Sequence, residues 1–260
     1  MSAYPNRAKS RLAAGELALG MVLRQARTVD IAALAVTAGF DWFSIDMEHS
    51  TIDVDTAAQI VCAALPAGIT PLVRVPGEAS HHASRLLDAG AQGIIFPHIN
   101  SPEDARRAVA QCLYPPMGTR SYAGIQAQLA FRSTPVTEAT RQVNEQTLVV
   151  AMLESVAAID HAEAIAAVPG VNALLIGIND LCDELGVPGK FGDPKVEEAF
   201  ARVIAACAKH RVSPGMSGVH DPVLAKKYIS MGMRFIGGGT DQSFLMAGAS
   251  QRAAFLRGLL

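Results

Sequence analysis

Residues 147–180, TLVVAMLESVAAIDHAEAIAAVPGVNALLIGIND, decide the fold. An apolar run, Thr147–Leu153, is followed by an Ala-rich stretch with helical periodicity, Ala157–Ala167, and then by a second apolar run, Ala173–Ile178. Neither apolar run alternates with polar residues, which is typical of strands in a parallel sheet that is buried on both faces. The segment therefore predicts a β-α-β unit.

The same alternation continues along the whole chain. Eight strands, each followed by a helix, within about 250 residues are typical of a (β/α)8 TIM barrel, an α/β fold. A doubly wound open sheet is the main alternative, but the residues after the first predicted strand lack the glycine-rich phosphate loop usual in that fold. We therefore expect a single TIM-barrel domain over residues 1–260. The predicted strands are Leu17–Leu23, Trp42–Asp46, Pro71–Val75, Gly93–Pro97, Thr147–Leu153, Ala173–Ile178, Val212–Met216 and Phe235–Gly238. The predicted helices are Thr28–Ala38, Val54–Ala64, Ala79–Ala89, Pro102–Cys112, Ala157–Ala167, Pro194–His210, Pro222–Met231 and Ser243–Gly258.

Composition and charge argue against several classes of protein. The 22 basic and 24 acidic residues give a formal net charge of −2, which provides no field that attracts nucleic acid or an anionic membrane surface. Charged residues, Gly or Pro interrupt every apolar stretch before it reaches the ~20 residues of a membrane-spanning helix. The four cysteines lack metal-binding spacing, so we expect free thiols in a cytoplasmic protein with no nucleic-acid or membrane partner.

One connection, Leu113–Glu145, is longer than a passive link usually is. It carries the sequence YPPMGTRSYAG at positions 114–124. We expect this segment to form a lid over the active site.

Polar residues follow the predicted strands at their carboxyl ends, which is where TIM barrels carry their active sites. A single Asp or Asn in such a position is commonly a helix cap, so each signal is weak by itself. Their combination favours a functional site. These residues are Asp46, Glu48, His49, Arg74, His98, Glu154, Asn179, Asp180, Ser217, Thr240 and Asp241.

Glu154 and Asp180 follow consecutive strands, which usually lie side by side about 4.8 Å apart. Two carboxylates that converge in this way repel each other unless a cation lies between them. A hard divalent cation with oxygen ligands satisfies this requirement and leaves coordination positions for water or substrate. A structural ion pair with Arg74 is the alternative.

His49 and Arg74 are the candidates for catalysis. An imidazole at a barrel rim, close to carboxylates, can transfer protons near neutral pH, although a capping or core histidine is the alternative. The guanidinium of Arg74 can stabilise a developing oxyanion. All six lysines lie outside the predicted strands, which disfavours Schiff-base chemistry.

Sequence motifs are spread over most of the chain. They are IDMEHS at 45–50, PLVRVP at 71–76, LDAGAQG at 87–93, YPPMGTR at 114–120, MLE at 152–154, IGINDL at 176–181 and GTD at 239–241. In this order and spacing they resemble the HpcH/HpaI family of class II, metal-dependent pyruvate aldolases, which includes hydroxyheptanedioate and 2-keto-3-deoxy sugar-acid aldolases.

The resemblance implies a metal and substrate site. Glu154 and Asp180 would bind Mg²⁺, Mn²⁺ or Co²⁺, which chelates the carboxylate and keto oxygens of pyruvate, and Arg74 would neutralise the enolate oxygen. Backbone N–H groups around Asn179 and Asp180 would hold the pyruvate carboxylate. Met152 stands where the family often has Gln, so we expect it to contact substrate and to alter which donor or acceptor fits.

The resemblance also implies an oligomer, typically a hexamer. His49 matches the catalytic histidine, which acts through a water at the metal, and Asp88 matches an acidic partner that reaches this histidine from a neighbouring subunit. Asp46 and Glu48 would tune this group. From the residues alone, Asp88 is instead a surface acid at the end of a helix. We expect the C-terminal helix to take part in oligomer contacts.

The first hypothesis is therefore an aldolase that reversibly joins pyruvate, or hydroxypyruvate, to an aldehyde. One alternative is a citrate-lyase-like enzyme that acts on an acyl-CoA, although the weakly acidic composition offers no cationic groove for CoA. The other is a non-catalytic, keto-acid-binding paralogue, suggested by Met152, Ser50 and Ser121, where family residues are replaced.

Overall fold

Eight parallel strands close into a barrel in the order of the chain in the computed structural model, which describes residues 2–77 and 81–259. Each strand pairs with the next, and β8 pairs with β1. The predicted TIM barrel is thus confirmed, and each strand bound lies within two residues of the predicted one. The strands are β1 (Ala18–Leu23), β2 (Trp42–Asp46), β3 (Thr70–Arg74), β4 (Gly93–Phe96), β5 (Leu148–Leu153), β6 (Ala173–Gly177), β7 (Ser213–Ser217) and β8 (Phe235–Thr240).

Helices follow the strands, and most predicted helices are present near the predicted bounds. The stretch predicted as one helix over Ala157–Ala167 is two, because the backbone at His161 (φ −94°, ψ 5°) leaves the helical conformation. The predicted start at Ala79 lies outside the described residues. None of the described helices has the length and apolar character needed to cross a membrane. The α-helices are α1 (Arg7–Ala13), α2 (Ile31–Thr37), α3 (Val54–Ala67), α4 (His82–Ala89), α5 (Pro102–Cys112), α6 (Val136–Gln146), α7 (Val156–Asp160), α8 (Ala162–Ala166), α9 (Ile178–Glu184), α10 (Pro194–His210), α11 (Pro222–Met231) and α12 (Asp241–Arg257), and Ala127–Leu129 forms a 3-10 turn.

Large side chains fill the barrel interior and close its amino end. The indole of Trp42 stacks on Phe235 with ring centroids 4.3 Å apart. Gly20 faces this pair, and a Cβ there would lie 2.0 Å from the indole, so no side chain fits. Helix α1 covers the amino ends of the strands, and the N–H of Ala8 donates to Thr70 Oγ1 at 3.0 Å. This packing leaves the carboxyl ends of the strands as the open side of the barrel.

The long segment between α5 and β5 packs away from that open side. Tyr114, Leu129, Ala139 and Val143 form a buried cluster with Ala3 near the start of the chain. No described residue from 113 to 146 lines the cavity at the carboxyl ends. The expectation of a lid over the site of the same chain is therefore wrong, because this segment contains an amphipathic helix, α6, that buries its apolar side chains in a cluster of its own.

The four cysteines are free thiols, as expected. Cys112, Cys182 and Cys207 are buried, whereas Cys62 is half-buried. Burial raises the pKa of Cys112 and of Cys207 to about 12, so neither thiol is reactive at neutral pH.

Candidate active site

A cavity of about 200 Å³ lies at the carboxyl ends of the strands. Barrel closure brings to it residues that are far apart in the sequence. Those singled out from the sequence that line it are His49, Arg74, Met152, Glu154, Asn179, Asp180, Ser217 and Thr240. Further lining side chains with polar groups are Arg24, Ser44 and His220. No lysine among the described residues lines it, in agreement with the argument against Schiff-base chemistry.

Asp46 holds the guanidinium of Arg74 in a fixed orientation. The two residues are partners across β2 and β3, and Arg74 donates from Nε to Asp46 Oδ1 at 3.0 Å and from Nη2 to Oδ2 at 2.7 Å. Burial alone would raise the pKa of Asp46, but the hydrogen bonds and charge of Arg74 hold it below its usual value. Burial would likewise lower the pKa of Arg74, and Asp46 raises it. Both groups therefore remain charged, and the bidentate pair fixes the cation at the cavity wall.

Glu48 connects Arg74 with two imidazoles. Its Oε2 lies 3.0 Å from Arg74 Nη1 and 3.7 Å from His49 Nε2, and its Oε1 lies 3.0 Å from His98 Nε2. The side chain of Glu48 is almost fully buried, whereas that of His49 is 54% exposed. His49 is thus an accessible imidazole beside a buried carboxylate, which is a suitable environment for a general base.

Glu154 is a buried carboxylate at the end of β5. Its Oε2 accepts the backbone N–H of His98 at 3.1 Å and lies 3.3 Å from His98 Nδ1. Burial, above all, raises the pKa of Glu154; the N–H and charge of His98 and the charge of Arg74 oppose this, and the negative charge of Asp180 adds to it. The predicted alternative, an ion pair of these two acids with Arg74, is not formed, because Arg74 pairs with Asp46 and Glu48 instead.

Asp180 lies in the first turn of α9, a helix that the sequence did not predict. Its side chain is exposed and, with Glu154, lines the cavity. Gly177 is the last residue of β6 and precedes the helix that carries Asp180. A Cβ at Gly177 would lie only 2.6 Å from Glu154 Cγ and Oε1. The Glu154 carboxylate occupies the space that a side chain at position 177 would fill.

The donor set fits a divalent cation. Two carboxylates, one of them buried with a raised pKa, are hard oxygen ligands whose mutual repulsion a cation would relieve. Within residues 2–77 and 81–259, no three His, Cys, Asp or Glu side chains cluster with metal-binding geometry. Glu154 and Asp180 would therefore supply two ligands and leave the remaining positions to water and substrate.

Asp88 does not reach the cavity of its own chain. It lies near the end of α4, half-buried, and its Oδ1 accepts from Nη2 of the buried Arg120 at 2.6 Å. Arg120 in turn stacks on the ring of Tyr114, 4.5 Å from its centroid. Within one chain Asp88 is thus a helix-end acid, and a role at a neighbouring site remains a prediction.

Sequence reasoning missed Arg24 and His220, and it did not predict the contacts of His98. Arg24 lies directly after β1, so extending the search for polar strand ends to the first strand would have found it. His98 was noted only as a strand end, yet it contacts Glu48 and Glu154 from a left-handed backbone conformation (φ 55°). His220, which lies just before α11, is exposed and lines the cavity.

Comparison with known proteins agrees with the barrel fold and identifies a family. Residues 21–247 match the sequence model of the family described as HpcH/HpaI aldolase/citrate lyase. A 4-hydroxy-4-methyl-2-oxoglutarate aldolase of Hapsidospora irregularis is 37% identical, over 97% of this chain and 95% of that protein. A hydroxypyruvate/pyruvate aldolase of Sagittula stellata is 32% identical over 96% and 97%. The crystal structure of an HpcH/HpaI aldolase from Desulfitobacterium hafniense superimposes with a TM-score of 0.89 at 29% identity, covering 96% of each chain.

Proposed function

Because the chain belongs to the HpcH/HpaI aldolase/citrate lyase family, we propose that it is a divalent-metal-dependent aldolase that cleaves a 4-hydroxy-2-oxo acid into pyruvate, or hydroxypyruvate, and an aldehyde. The resemblance found in the sequence is confirmed at the level of the family, and the protein is a lyase of the aldolase type. One observation supports the proposal of a metal-dependent reaction on a 4-hydroxy-2-oxo acid. The oriented cation Arg74 and the carboxylates Glu154 and Asp180 line the same cavity.

In this proposal, different residues of the cavity bind the metal, stabilise the oxyanion and transfer the proton. Glu154 and Asp180 would hold Mg²⁺, Mn²⁺ or Co²⁺, which when bound supplies a Lewis acid for the keto and carboxylate oxygens of the substrate. Arg74, fixed by Asp46, stabilises the negative charge that develops on the keto oxygen. His49, supported by Glu48, accepts the proton of the C4 hydroxyl, directly or through a water.

The bond changes follow from these roles. As the C4 hydroxyl loses its proton, the C3–C4 bond breaks and its electron pair forms the enolate of pyruvate. C4 becomes a carbonyl carbon and leaves with the second product. A proton returned to C3 then gives pyruvate. Asn179 and Asp180, at the start of α9, present backbone N–H groups that have no partner within the helix, and these hold the pyruvate carboxylate.

Met152 contributes to substrate choice. Its Sδ lies 3.9 Å from Arg74 Nη1, so it borders the position of the developing oxyanion. A thioether is a weak acceptor, so an oxygen of the substrate can displace Met152 from Nη1 of Arg74.

The aldolase proposal accounts for the cavity better than the two alternatives. The relatives from Hapsidospora irregularis and Sagittula stellata, at 37% and 32% identity, are both named as aldolases. A keto-acid-binding paralogue without activity has no use for an imidazole, His49, beside the buried carboxylate of Glu48 in the same cavity as Arg74. We therefore retain the aldolase as the proposed function.

The first test is exchange of the pyruvate methyl protons in D₂O, followed by NMR, because it requires no knowledge of the second substrate. Exchange that is lost with EDTA and restored by Mg²⁺, Mn²⁺ or Co²⁺ is expected. Hydroxypyruvate is the second donor to test. Binding of metal without exchange of either donor would contradict the aldolase proposal and favour the keto-acid-binding alternative.

Three substitutions separate the role of the metal ligands from that of Arg74. Glu154→Ala or Asp180→Ala is expected to abolish metal-dependent exchange together with Mn²⁺ binding. Arg74→Ala is expected to retain Mn²⁺ binding but to lose at least about 100-fold in exchange rate, the usual effect of removing one oxyanion donor. Near wild-type exchange by Arg74→Ala would contradict its role.

We further propose that the protein is a homo-oligomer, with α12 at an interface between copies of the chain. No side chain of α12 is buried, and Phe244, Leu245 and Met246 expose 42%, 67% and 63% of their surface. Several large apolar side chains exposed on one helical turn are typical of a protein interface. If the oligomer is a hexamer, as the family resemblance implies, Asp88 would reach the cavity of a neighbouring subunit. Sedimentation of the wild type and of Leu245→Glu tests this: a wild type that is monomeric while fully active would refute it.

A further inference from the structure

His98 contacts the metal side and the base side of the site at once, and the proposed mechanism does not use it. It lies two residues after the end of β4. Its backbone N–H donates to Glu154 Oε2 at 3.1 Å, and its Nε2 lies 3.0 Å from Glu48 Oε1. Glu154 is a proposed metal ligand, and Glu48 supports His49 and Arg74. His98 does not line the cavity, so any effect on the reaction passes through these two carboxylates.

The backbone of His98 has a conformation that few residues adopt. Its φ of 55° lies in the left-handed region, where His is one of the few residues other than glycine that is enriched. Contacts on both sides maintain this conformation. The Asn100 side-chain amide donates to the carbonyl of His98 at 3.0 Å, and the N–H of Ile99 donates to the carbonyl of Met152 in β5 at 3.2 Å. Backbone held in such a conformation is common at functional sites, and here its N–H is directed at Glu154.

The orientation of the Glu154 carboxylate depends on this N–H. The hydrogen bond from His98 holds Oε2. In the part of the chain that the structure describes, Oε1 accepts no hydrogen bond. Because the side chain is buried and held through Oε2, Oε1 is the oxygen that remains available to a metal ion.

The imidazole of His98 fixes Glu48 in a similar way. The side chain of Glu48 is only 10% exposed, and its two oxygens lie 3.0 Å from His98 Nε2 and 3.0 Å from Arg74 Nη1. The other ring nitrogen, Nδ1, lies 3.3 Å from Glu154 Oε2, so the ring lies between the two carboxylates. Residues that contact metal ligands from behind orient those ligands, and their loss commonly weakens metal binding.

We infer that His98 is a positioning residue, which orients Glu154 for the metal ion and Glu48 for His49 and thereby fixes the metal relative to the base. This inference rests on the proposed function, because it requires a cation at Glu154 and a base at His49. His98 touches no reacting atom in this scheme. Loss of its imidazole should therefore weaken the metal site and slow proton transfer together.

Mn²⁺ affinity and pyruvate proton exchange, measured on the full chain, test the inference. Free Mn²⁺ is followed by EPR during titration of the wild type, His98→Ala and His98→Gln. Alanine keeps the backbone N–H and removes the imidazole, whereas glutamine supplies an amide N–H that can donate to Glu48. His210→Ala is the matched control, because His210 is an exposed histidine that ends α10 just before β7, at the amino end of the barrel.

In His98→Ala, the Kd for Mn²⁺ is expected to rise by about 10- to 100-fold. The exchange rate at saturating Mn²⁺ and pyruvate is expected to fall by at least about 10-fold, since added metal does not restore the position of Glu48. His98→Gln should recover most of both losses, and His210→Ala should match the wild type.

A wild-type Kd in His98→Ala would overturn the inference. A His98→Gln variant no better than His98→Ala would also overturn it, because the hydrogen bond to Glu48 would then have no part in the effect. Either result, with wild type that binds Mn²⁺ and exchanges protons, refutes the role of His98 alone. Wild type that binds no Mn²⁺, or exchanges no protons of either donor when loaded, contradicts the aldolase proposal itself.

Discussion

Gly177→Ala is expected to impair the metal site while the barrel still folds. The backbone of Gly177 (φ −88°, ψ 94°) is accessible to alanine, so the cost is steric and comes from the new methyl group. Its Cβ would lie 2.6 Å from Glu154 Cγ and Oε1 and 2.7 Å from Met152 Cε, where ordinary contacts begin at 3.4 Å. Glu154 must therefore move by the difference between 3.4 and 2.6 Å, which is 0.8 Å.

A displacement of that size is large for a metal ligand. Glu154 is buried and bonded to the His98 N–H, so it cannot move without losing that hydrogen bond. Misplacement by about 1 Å commonly costs about 100-fold in activity, so we expect kcat/KM and the exchange rate to fall by about 10- to 100-fold. Overpacking of this kind lowers the free energy of unfolding by about 1–3 kcal/mol.

The assay combines Mn²⁺ titration, pyruvate proton exchange and urea unfolding on the same preparations. Gly258→Ala is the matched control, since the nearest atoms to a Cβ there lie at an ordinary 3.5 Å. This control is expected to bind Mn²⁺ and to exchange protons like the wild type. If Gly177→Ala did the same, the reasoning that Gly177 makes room for a metal-binding Glu154 would be refuted.

Three further changes test burial and packing in the barrel. Asp46→Asn removes a buried charge that Arg74 requires, so the free energy of unfolding should fall by about 3 kcal/mol in urea titrations; a variant as stable as the wild type would contradict this. Burial lowers the pKa of Lys9 to about 8, against 10.5 in the unfolded chain, so the folded protein binds fewer protons between these values. The stability of the wild type relative to Lys9→Met should therefore rise as the pH increases from 8 to 10.5, and a constant difference in urea unfolding would argue against it. Gly20→Ala places a Cβ 2.0 Å from the Trp42 indole and should lower the free energy of unfolding by about 3 kcal/mol, with a lower Tm; an unchanged Tm would mean that the barrel adjusts.

The barrel itself could be predicted because its signals are local. The strand Trp42–Asp46 and the helix Pro102–Cys112 have the predicted bounds, since a buried parallel strand is a continuous apolar run and Ser101 with Pro102 marks a helix start. Helix α9 was missed because Ile178 continues the apolar run of β6, so the change from strand to helix at Gly177 leaves no break in hydropathy.

The candidate site was only partly predictable. His49, Arg74, Glu154 and Asp180 were found because barrel topology sends the residue after each strand to the same end. The contacts of Arg24 were not found, because nothing in the sequence near it indicates that its side chain would meet Asp46.

The sequence by itself determined the repeated β-α order, the family and the chemical types of the residues at the strand ends, since each depends on neighbours along the chain. Only the tertiary structure decided how the charges are shared: Asp46 between two arginines, Glu48 between Arg74 and two histidines, and Asp88 with Arg120 instead of with the cavity. The physical reason is that a charge pair depends on distance and burial in space, and closure of the barrel sets both.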